Sequence, residues 1–464
     1  MRIRLTWIAA ILALVSIGVV MACSTKYSSS NNGLLVVPSQ GGVAIDGQGG
    51  PVMETFSLDL ANGHLSEINN VNGPPVDGLP QALVLDPAGA FAYVLIYQNV
   101  VVPDSVTGIE AFPVASDGKL GTGTTTVLNP STTATALCVF TQNGQTVTQD
   151  IPVTVNAPVV PTAIAIDSAG KFLFVADLST SAPATYMCNG VPVTATVPVP
   201  GAVSVFAVSA GTLTEVAGSP FQLPAESGSG TPNASALAVT PTVYPPLYAP
   251  CAGFTPPTTE DLYVTDSINY VVLNYAVDPS AGTLTLRPVA GVPGVPTGPV
   301  PSGVTVDPCN RFAYVSNAGS GNGANSVSAF TMCSTILLPN CQTADYSLLP
   351  VKGSPFVISP GDGPGPLAVD AYGNFLYVVD TASGILSCFK ISATTGSLLP
   401  LTPSSVSAGP GANSIAIRSD DSWMFVANIG SQTVSEYGIT PHTGELTPQP
   451  PVSTFNYPSG VAVK

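Results

Sequence analysis

The residues that carry most protein chemistry are scarce in this sequence and spaced unhelpfully for it. There are two histidines. His64 lies in Gly63-His64-Leu65 and His442 in Pro441-His442-Thr443-Gly444. Both read as surface turn positions. That argues against a histidine acid/base pair or a His-rich metal site. One polar feature does recur. An Asp or Asn closes an apolar, Val-containing stretch at Asp177, Asp266, Asn317, Asp380 and Asn428. A ring of such groups could hold Ca²⁺ or Mg²⁺, or accept sugar hydroxyls. With a metal bound, Asp177, Asp266 and Asp380 would activate water. The structural alternative is Asx turns that start loops. No other metal or cofactor is called for.

Those residues sit at one place in a repeat. Each copy has an apolar strand, a turn, and a second strand ending in aromatic-Val. A third strand, a Gly-containing turn and a fourth strand follow. Second strands carry Ala92-Tyr93-Val94, Leu173-Phe174-Val175, Leu262-Tyr263-Val264, Ala313-Tyr314-Val315, Leu376-Tyr377-Val378 and Met424-Phe425-Val426, with Leu34-Leu35-Val36-Val37 as a degenerate seventh. Successive late copies start at Pro366, Ala412 and Pro458, the roughly 45-residue spacing of a four-stranded propeller blade. The sequence therefore predicts an all-β fold, a seven-bladed β-propeller of four-stranded blades over residues 34–464. Pro458 to Lys464 is a first strand with no second strand after it. The N-terminal copy starts at a second strand. The two pieces make one blade, and pairing them closes the ring and removes its edges.

We label the strands A to D from the axis outward. The D–A and B–C connections share one face, the top. The A–B and C–D turns share the bottom. The histidines then fall in bottom C–D turns. Lys171, Arg311 and Arg418 fall in bottom A–B turns, and Arg287 and Lys352 on outer D strands. No cation cluster is expected at the top mouth. Ile96 occupies the Asp/Asn position in blade 2 and breaks the ring. Three insertions enlarge the unit. One spans Ala134 to Val155 and one Leu178 to Pro200, both on the top of neighbouring blades. The third, Pro241 to Glu260, extends an A–B hairpin. Ordered loops on a rigid scaffold are where binding concentrates.

Seven cysteines follow Cys23. Cys333 and Cys341 flank a C–D turn, and Cys138 and Cys188 sit in the two top insertions. Cys251 and Cys309 occupy A–B turns of adjacent blades. These are three candidate disulfides, suited to an oxidising compartment. Cys388, mid-strand, reads as a buried free thiol.

The start of the chain, Met1-Arg2-Ile3-Arg4 and then an apolar run to Met21, reads as a signal peptide. It ends in Val20-Met21-Ala22-Cys23, which resembles the lipobox of bacterial lipoproteins. The resemblance implies a signal peptide over 1–22, lipidation of Cys23 and a flexible tether over 23–33. Ser24 after the cysteine implies the outer membrane if the cell is Gram-negative. An exported protein lipid-anchored to the envelope is expected. The net charge of −16 leaves nothing to neutralise a phosphate backbone, so nucleic acid is not an expected partner.

Gly218-Ser219-Pro220-Phe221 and Gly353-Ser354-Pro355-Phe356, with the Tyr-Val-x-Asp/Asn strands and Gly-x-Leu turns, resemble the bacterial lactonase-type seven-bladed propellers. That group is similar to propeller 6-phosphogluconolactonases and YVTN-repeat propellers. The resemblance implies opening of a sugar lactone such as 6-phosphogluconolactone, a carboxylic ester hydrolysis. The missing acid/base set and cation cluster point instead to a monomeric module that binds a glycan, peptide or envelope protein. A structural envelope role is the third reading.

Overall fold

The computed structural model describes residues 32–464, apart from 41–49, 69–72, 99–104, 130, 226–229, 243–250, 252–256, 289–291, 322, 335–337, 339, 360 and 455. The expected signal peptide, Cys23 and most of the tether lie outside the described residues, as does most of the third insertion. The first strand begins at Asn32, so the propeller starts two residues earlier than the expected boundary at Leu34.

Seven antiparallel blades follow one another around the ring. The B strand of blade 1 is Asn32–Gln40, followed by its C strand (Val52–Asp59) and D strand (Leu65–Glu67). Its A strand comes from the other end of the chain, as Tyr457–Pro458 and Ala462–Val463. Ser39 pairs with Pro458, and Leu35 and Val36 pair with Val463 and Ala462. The A strands of blades 2 to 7 are Leu79–Leu85, Pro161–Ile166, Ala234–Val239, Pro301–Val306, Pro364–Val369 and Ala412–Ile417.

Alternation within each strand sends side chains to both faces of a blade, and both faces need an apolar partner. In the B strand of blade 5 (Phe312–Asn317), Phe312 and Tyr314 pack against blade 6, while Ala313 and Val315 pack against blade 4. Repeated around the ring, this gives an apolar cluster at each of the seven blade junctions. The C-terminal Val461 and Val463 share theirs with Trp423 of blade 7 and Phe56 of blade 1.

Polar groups stitch the same junctions. The A strands of blades 2 to 7 bulge near their second residue. Four of these bulges place a donor against the next blade. Thr162 bonds to the Ala234 carbonyl (3.2 Å), Ser235 to that of Pro301 (2.8 Å), Ser302 to that of Pro364 (2.6 Å) and Asn413 to that of Pro458 (3.2 Å). Farther out, Tyr314 and Tyr377 donate to carbonyls in the next blade's C–D turn, at Gly396 (3.1 Å) and Gly444 (2.8 Å). The aromatic position of these two B strands thus serves the blade junction as well as the core. The Ser of the Gly-Ser-Pro-Phe tails acts locally. Ser219 and Ser354 accept the amides of Val205 (3.0 Å) and Ala329 (2.9 Å) where the D strand leaves its neighbour.

Closure makes a direct prediction. A chain ending at residue 456 lacks both segments that complete blade 1, and exposes the apolar faces beside them. It is expected to lose cooperative unfolding and to associate, read by calorimetry and light scattering. A monomer that melts like the intact chain would show that the ring holds without its closing strand.

Candidate functional site

The top ends of the B strands hold Asp177, Asp266, Asn317, Asp380 and Asn428, each the last residue of its strand. All five are buried. They lie under the D–A loops and do not line an open mouth. Asp177 accepts from Ser204 Oγ (2.8 Å) on the neighbouring C strand. Asn317 donates to Ser328 Oγ (3.0 Å) and Asn428 to Ser435 Oγ (2.9 Å). Asp266 accepts the Ile268 amide of its own B–C turn (3.0 Å) and the Asn233 amide of the D–A loop above (3.0 Å). The Asx-turn expectation thus describes blade 4, while in blades 3, 5 and 7 the side chain bonds sideways to a C-strand serine.

The row does not end at Ile96. In blade 2 the C strand supplies the polar group as Glu110, whose Oε2 accepts the Asp77 amide of the D–A loop (3.0 Å). In blade 1 the roles are reversed between strands, with Ser39 on B donating to Glu54 on C. Sequence reading followed the B strand alone and so missed both glutamates. The available signal was a lone acid inside the apolar run Gly108-Ile109-Glu110-Ala111-Phe112. The loops above sit very close. A Cβ at Gly361 would lie 1.8 Å from Asp380 Oδ2, and one at Gly409 2.7 Å from Asn428 Cγ. Among the described residues, no three His, Cys, Asp or Glu side chains gather where they could hold a metal.

Burial governs the acids. It pushes Asp177, Glu110, Glu260 and Glu436 up to about 7. Asp261 rises to about 6 by burial, against the pull of Arg287. Asp380 rises to about 6 by burial, offset by the Asp362 amide. Asp370 and Asp421, on facing bottom turns of blades 6 and 7, are both raised, Asp370 by burial and then the charge of Asp307, Asp421 by burial and then the charge of Asp370.

The cations are committed at the bottom. Arg311, 2% exposed, makes paired bonds to Asp307 (2.9 and 2.6 Å) and donates to the Gly373 carbonyl of blade 6 (3.0 Å). Arg418 is paired with Asp420. Arg287 is paired with Asp261 (2.7 Å). Lys171, Lys352, His64 and His442 are exposed.

The two top insertions form hairpins. One pairs Ser131–Gln142 with Gln145–Asn156, and the other Thr180–Cys188 with Val191–Val199. They pack through small inward residues such as Ala134, Ala136, Ala182 and Ala184. A disulfide joins Cys138 to Cys188. Bonds also join Cys251 to Cys309 and Cys333 to Cys341, and Cys388 is a buried thiol.

An open cleft of about 800 Å³ lies on the top between blades 5 and 6. Ser320 and Asn325 of the blade 5 B–C loop face Ser359 and Asp362 of the following D–A loop, with Val300 and Val357 as apolar walls. Asn325 ties the walls together. Its Nδ2 donates to Asp362 Oδ1 (3.0 Å), its Oδ1 accepts the Gly363 amide (3.1 Å) and its carbonyl accepts the Ile358 amide (2.8 Å). Val300 adopts φ +52° and Asn325 φ +45°. For a β-branched residue that conformation costs about 1–3 kcal/mol, and such strain gathers at functional sites. Amides of Ala318 and Gly319 bond to the carbonyls of Val300 and Pro299 (both 3.0 Å) and hold it. The legible signals for this cleft were the Gly/Asn-rich run 319–325 and Gly361-Asp362-Gly363. Hydroxyls, an amide and one carboxylate can share hydrogen bonds with a polyol. They supply no cation for a phosphate.

The buried acids and their roof are each open to measurement. The raised carboxylates keep protons in the folded chain that the unfolded chain releases. Stability from these groups is therefore greatest at or below the ordinary carboxylate range and falls as pH rises through about 6 to 7. The melting temperature is expected to be higher at pH 5 than at pH 8, and calorimetry across that window would expose a slope of the opposite sign. Replacing Gly361 by Ala should force the loop off Asp380, destabilising the fold by about 1–3 kcal/mol; a denaturation midpoint equal to that of the unaltered chain would contradict the close packing.

The family model for Lactonase, 7-bladed beta-propeller matches residues 357–464. No curated protein matches the chain by sequence. A solved Bacteroides fragilis structure described as a candidate 6-phosphogluconolactonase is 15% identical, with 95% of this chain and 100% of that one covered and a TM-score of 0.61. The corresponding Bacteroides uniformis structure is 16% identical, with 94% and 100% covered and a TM-score of 0.60. A periplasmic gluconolactonase from Pseudomonas aeruginosa is 18% identical, with 93% and 99% covered and a TM-score of 0.60. At these identities the likeness speaks for the fold. The chain is a seven-bladed β-propeller, and the lactonase family model matches its last two blades and the strand that closes the ring.

Proposed function

We propose that this protein is an envelope-anchored propeller that binds a neutral, hydroxyl-rich ligand, a glycan, in the cleft between blades 5 and 6. The observation that carries the reading is the chemistry of that cleft. Ser320, Ser359, Asn325 and Asp362 offer both donors and acceptors, two valines offer apolar contact, and no Lys, Arg, His or Cys is among the lining residues. A neutral polyol matches such a surface, whereas a phosphosugar requires cations. The predefined geometry of Asn325, bonded to both walls, suits recognition without rearrangement.

The second reading, opening of a sugar lactone, draws on the family match over residues 357–464. Of the acids beside the cleft, Asp362 lines it and already accepts from Asn325, and the neighbouring Asp380 is fully buried beneath Gly361. Its chemistry would need that roof to open, or a divalent metal such as Ca²⁺ or Mg²⁺ to be recruited.

The test is binding of a glycan panel by calorimetry, run beside hydrolysis of sugar lactones, including 6-phosphogluconolactone, with and without Ca²⁺ or Mg²⁺. Saturable glycan binding is expected, weakened about tenfold by Asn325→Ala through loss of hydrogen bonds. No lactone turnover above background is expected. Turnover abolished by Asp380→Ala would replace this reading with the second one.

A further inference from the structure

The polarity of blade 1 fixes where an N-terminal anchor must attach. Asn32 opens a B strand, and B strands run from bottom to top. At its start, Asn32 pairs with Asp59, the last residue of a C strand. Beside them the Leu34 amide donates to the Lys464 carbonyl (3.3 Å). Lys464 Nζ reaches the Ala88 carbonyl in the A–B turn of blade 2 (2.9 Å). The chain therefore enters the ring on the bottom face. Among the described residues, the cleft and the paired hairpins are on the other face. The cleft is built from a B–C and a D–A loop, and the disulfide-bonded hairpins rise from a D–A and a B–C connection.

We infer that the bottom face is apposed to the anchoring membrane and that the cleft and the hairpin pair are presented away from it. The inference rests on lipidation of Cys23. Nine peptide units from Cys23 to Asn32 span at most about 30 Å when extended. Blade strands of six or seven residues rise about 20 Å, and the twelve-residue strands of the first hairpin about 40 Å. The hairpin tip thus stands beyond the tether's reach from the bottom. Asp150 is the only charged residue in 131–156 and 180–199 of a chain with net charge −16. A segment so poor in cations has no attraction for anionic headgroups. It leaves Leu137, Val139, Met187 and Val191 between 55% and 60% exposed. The ligand of the cleft is then taken from the aqueous space or the surface opposite the anchoring leaflet, and is not a headgroup of that leaflet.

Full-length lipidated protein would be placed on vesicles that carry a headgroup fluorescence quencher. Single labels would go on the bottom C–D turn of blade 6 (Ala393→Cys or Thr394→Cys) or on the hairpins (Gln145→Cys or Thr194→Cys), all exposed positions. Cys388→Ser in each background removes the one free thiol described. Bottom labels should be quenched several-fold more strongly than hairpin labels. Equal quenching, or stronger quenching at the hairpins, in protein that floats with the vesicles would overturn the orientation alone. Protein that fails to float, or a Cys23→Ala variant that floats as well as the unaltered chain, would overturn lipidation and the orientation with it.

Discussion

A blade of this protein is apolar on both faces, and that requirement organises everything else. A strand pair such as Phe312–Asn317 and Ser326–Met332 cannot solvate either side, because Tyr314 and Val315 point in opposite directions and both are fully buried. Each blade therefore needs two neighbours, and a row of blades would end in two uncovered faces. The ring is the solution. It places the closing strand under the strongest demand, since Val461 to Val463 cover one face of blade 7 and one of blade 2 at once. The short backbone pairing of that strand is sufficient because burial, at about 25 cal/mol per Å² of apolar surface, supplies most of the driving force.

Polar groups then set which blade meets which. The upper hydroxyls hand a hydrogen bond from one A strand to the next, and each acceptor is a backbone carbonyl. At the bottom, Asp86, Asp167 and Asp370 accept the amides four and five residues ahead, which shapes the A–B turns. Arg311 and Asp421 extend these turns across blade boundaries through Gly373 and Ala371. The interior thus holds many carboxylates and few cations. Protonation is the remaining way to relieve their burial. At the bottom, Arg311 and Arg418 are already paired with Asp307 and Asp420.

The repeat was legible because strand alternation and turn residues are local. Tyr-Val-x-Asp is visible without knowing what Tyr or Asp touches. The complementary ends gave closure for a similar reason. The disulfides between Cys138 and Cys188 and between Cys333 and Cys341 follow from which loops share a face or flank one turn. What could not be read was the partner of each repeated group. Asp177, Asp266 and Asp380 look alike in sequence, yet one bonds a serine, one a turn and a loop, and one is roofed by glycine. Glu110 escaped notice because its carboxylate replaces one expected from a different strand. The cleft escaped because it is made by two loops from different blades, brought together by Asn325, and no single segment announces it.

The same division separates the propeller fold from any activity it carries. The features shared around the ring, including the Tyr-Val strands, the bottom Asp turns and the Gly-Ser-Pro-Phe tails, each have a packing or hydrogen-bonding role here. A sequence match built on them reports the construction of the blades. Features that occur once are the ones the proposed ligand binding rests on: the strained Val300, the doubly bonded Asn325 and the bridged hairpins. They lie on the same face, and the chain's entry point lies on the other. Symmetric repetition can build a ring, but selecting one ligand requires breaking the symmetry. On the top face of this protein the symmetry is broken over blades 2–3 and 5–6.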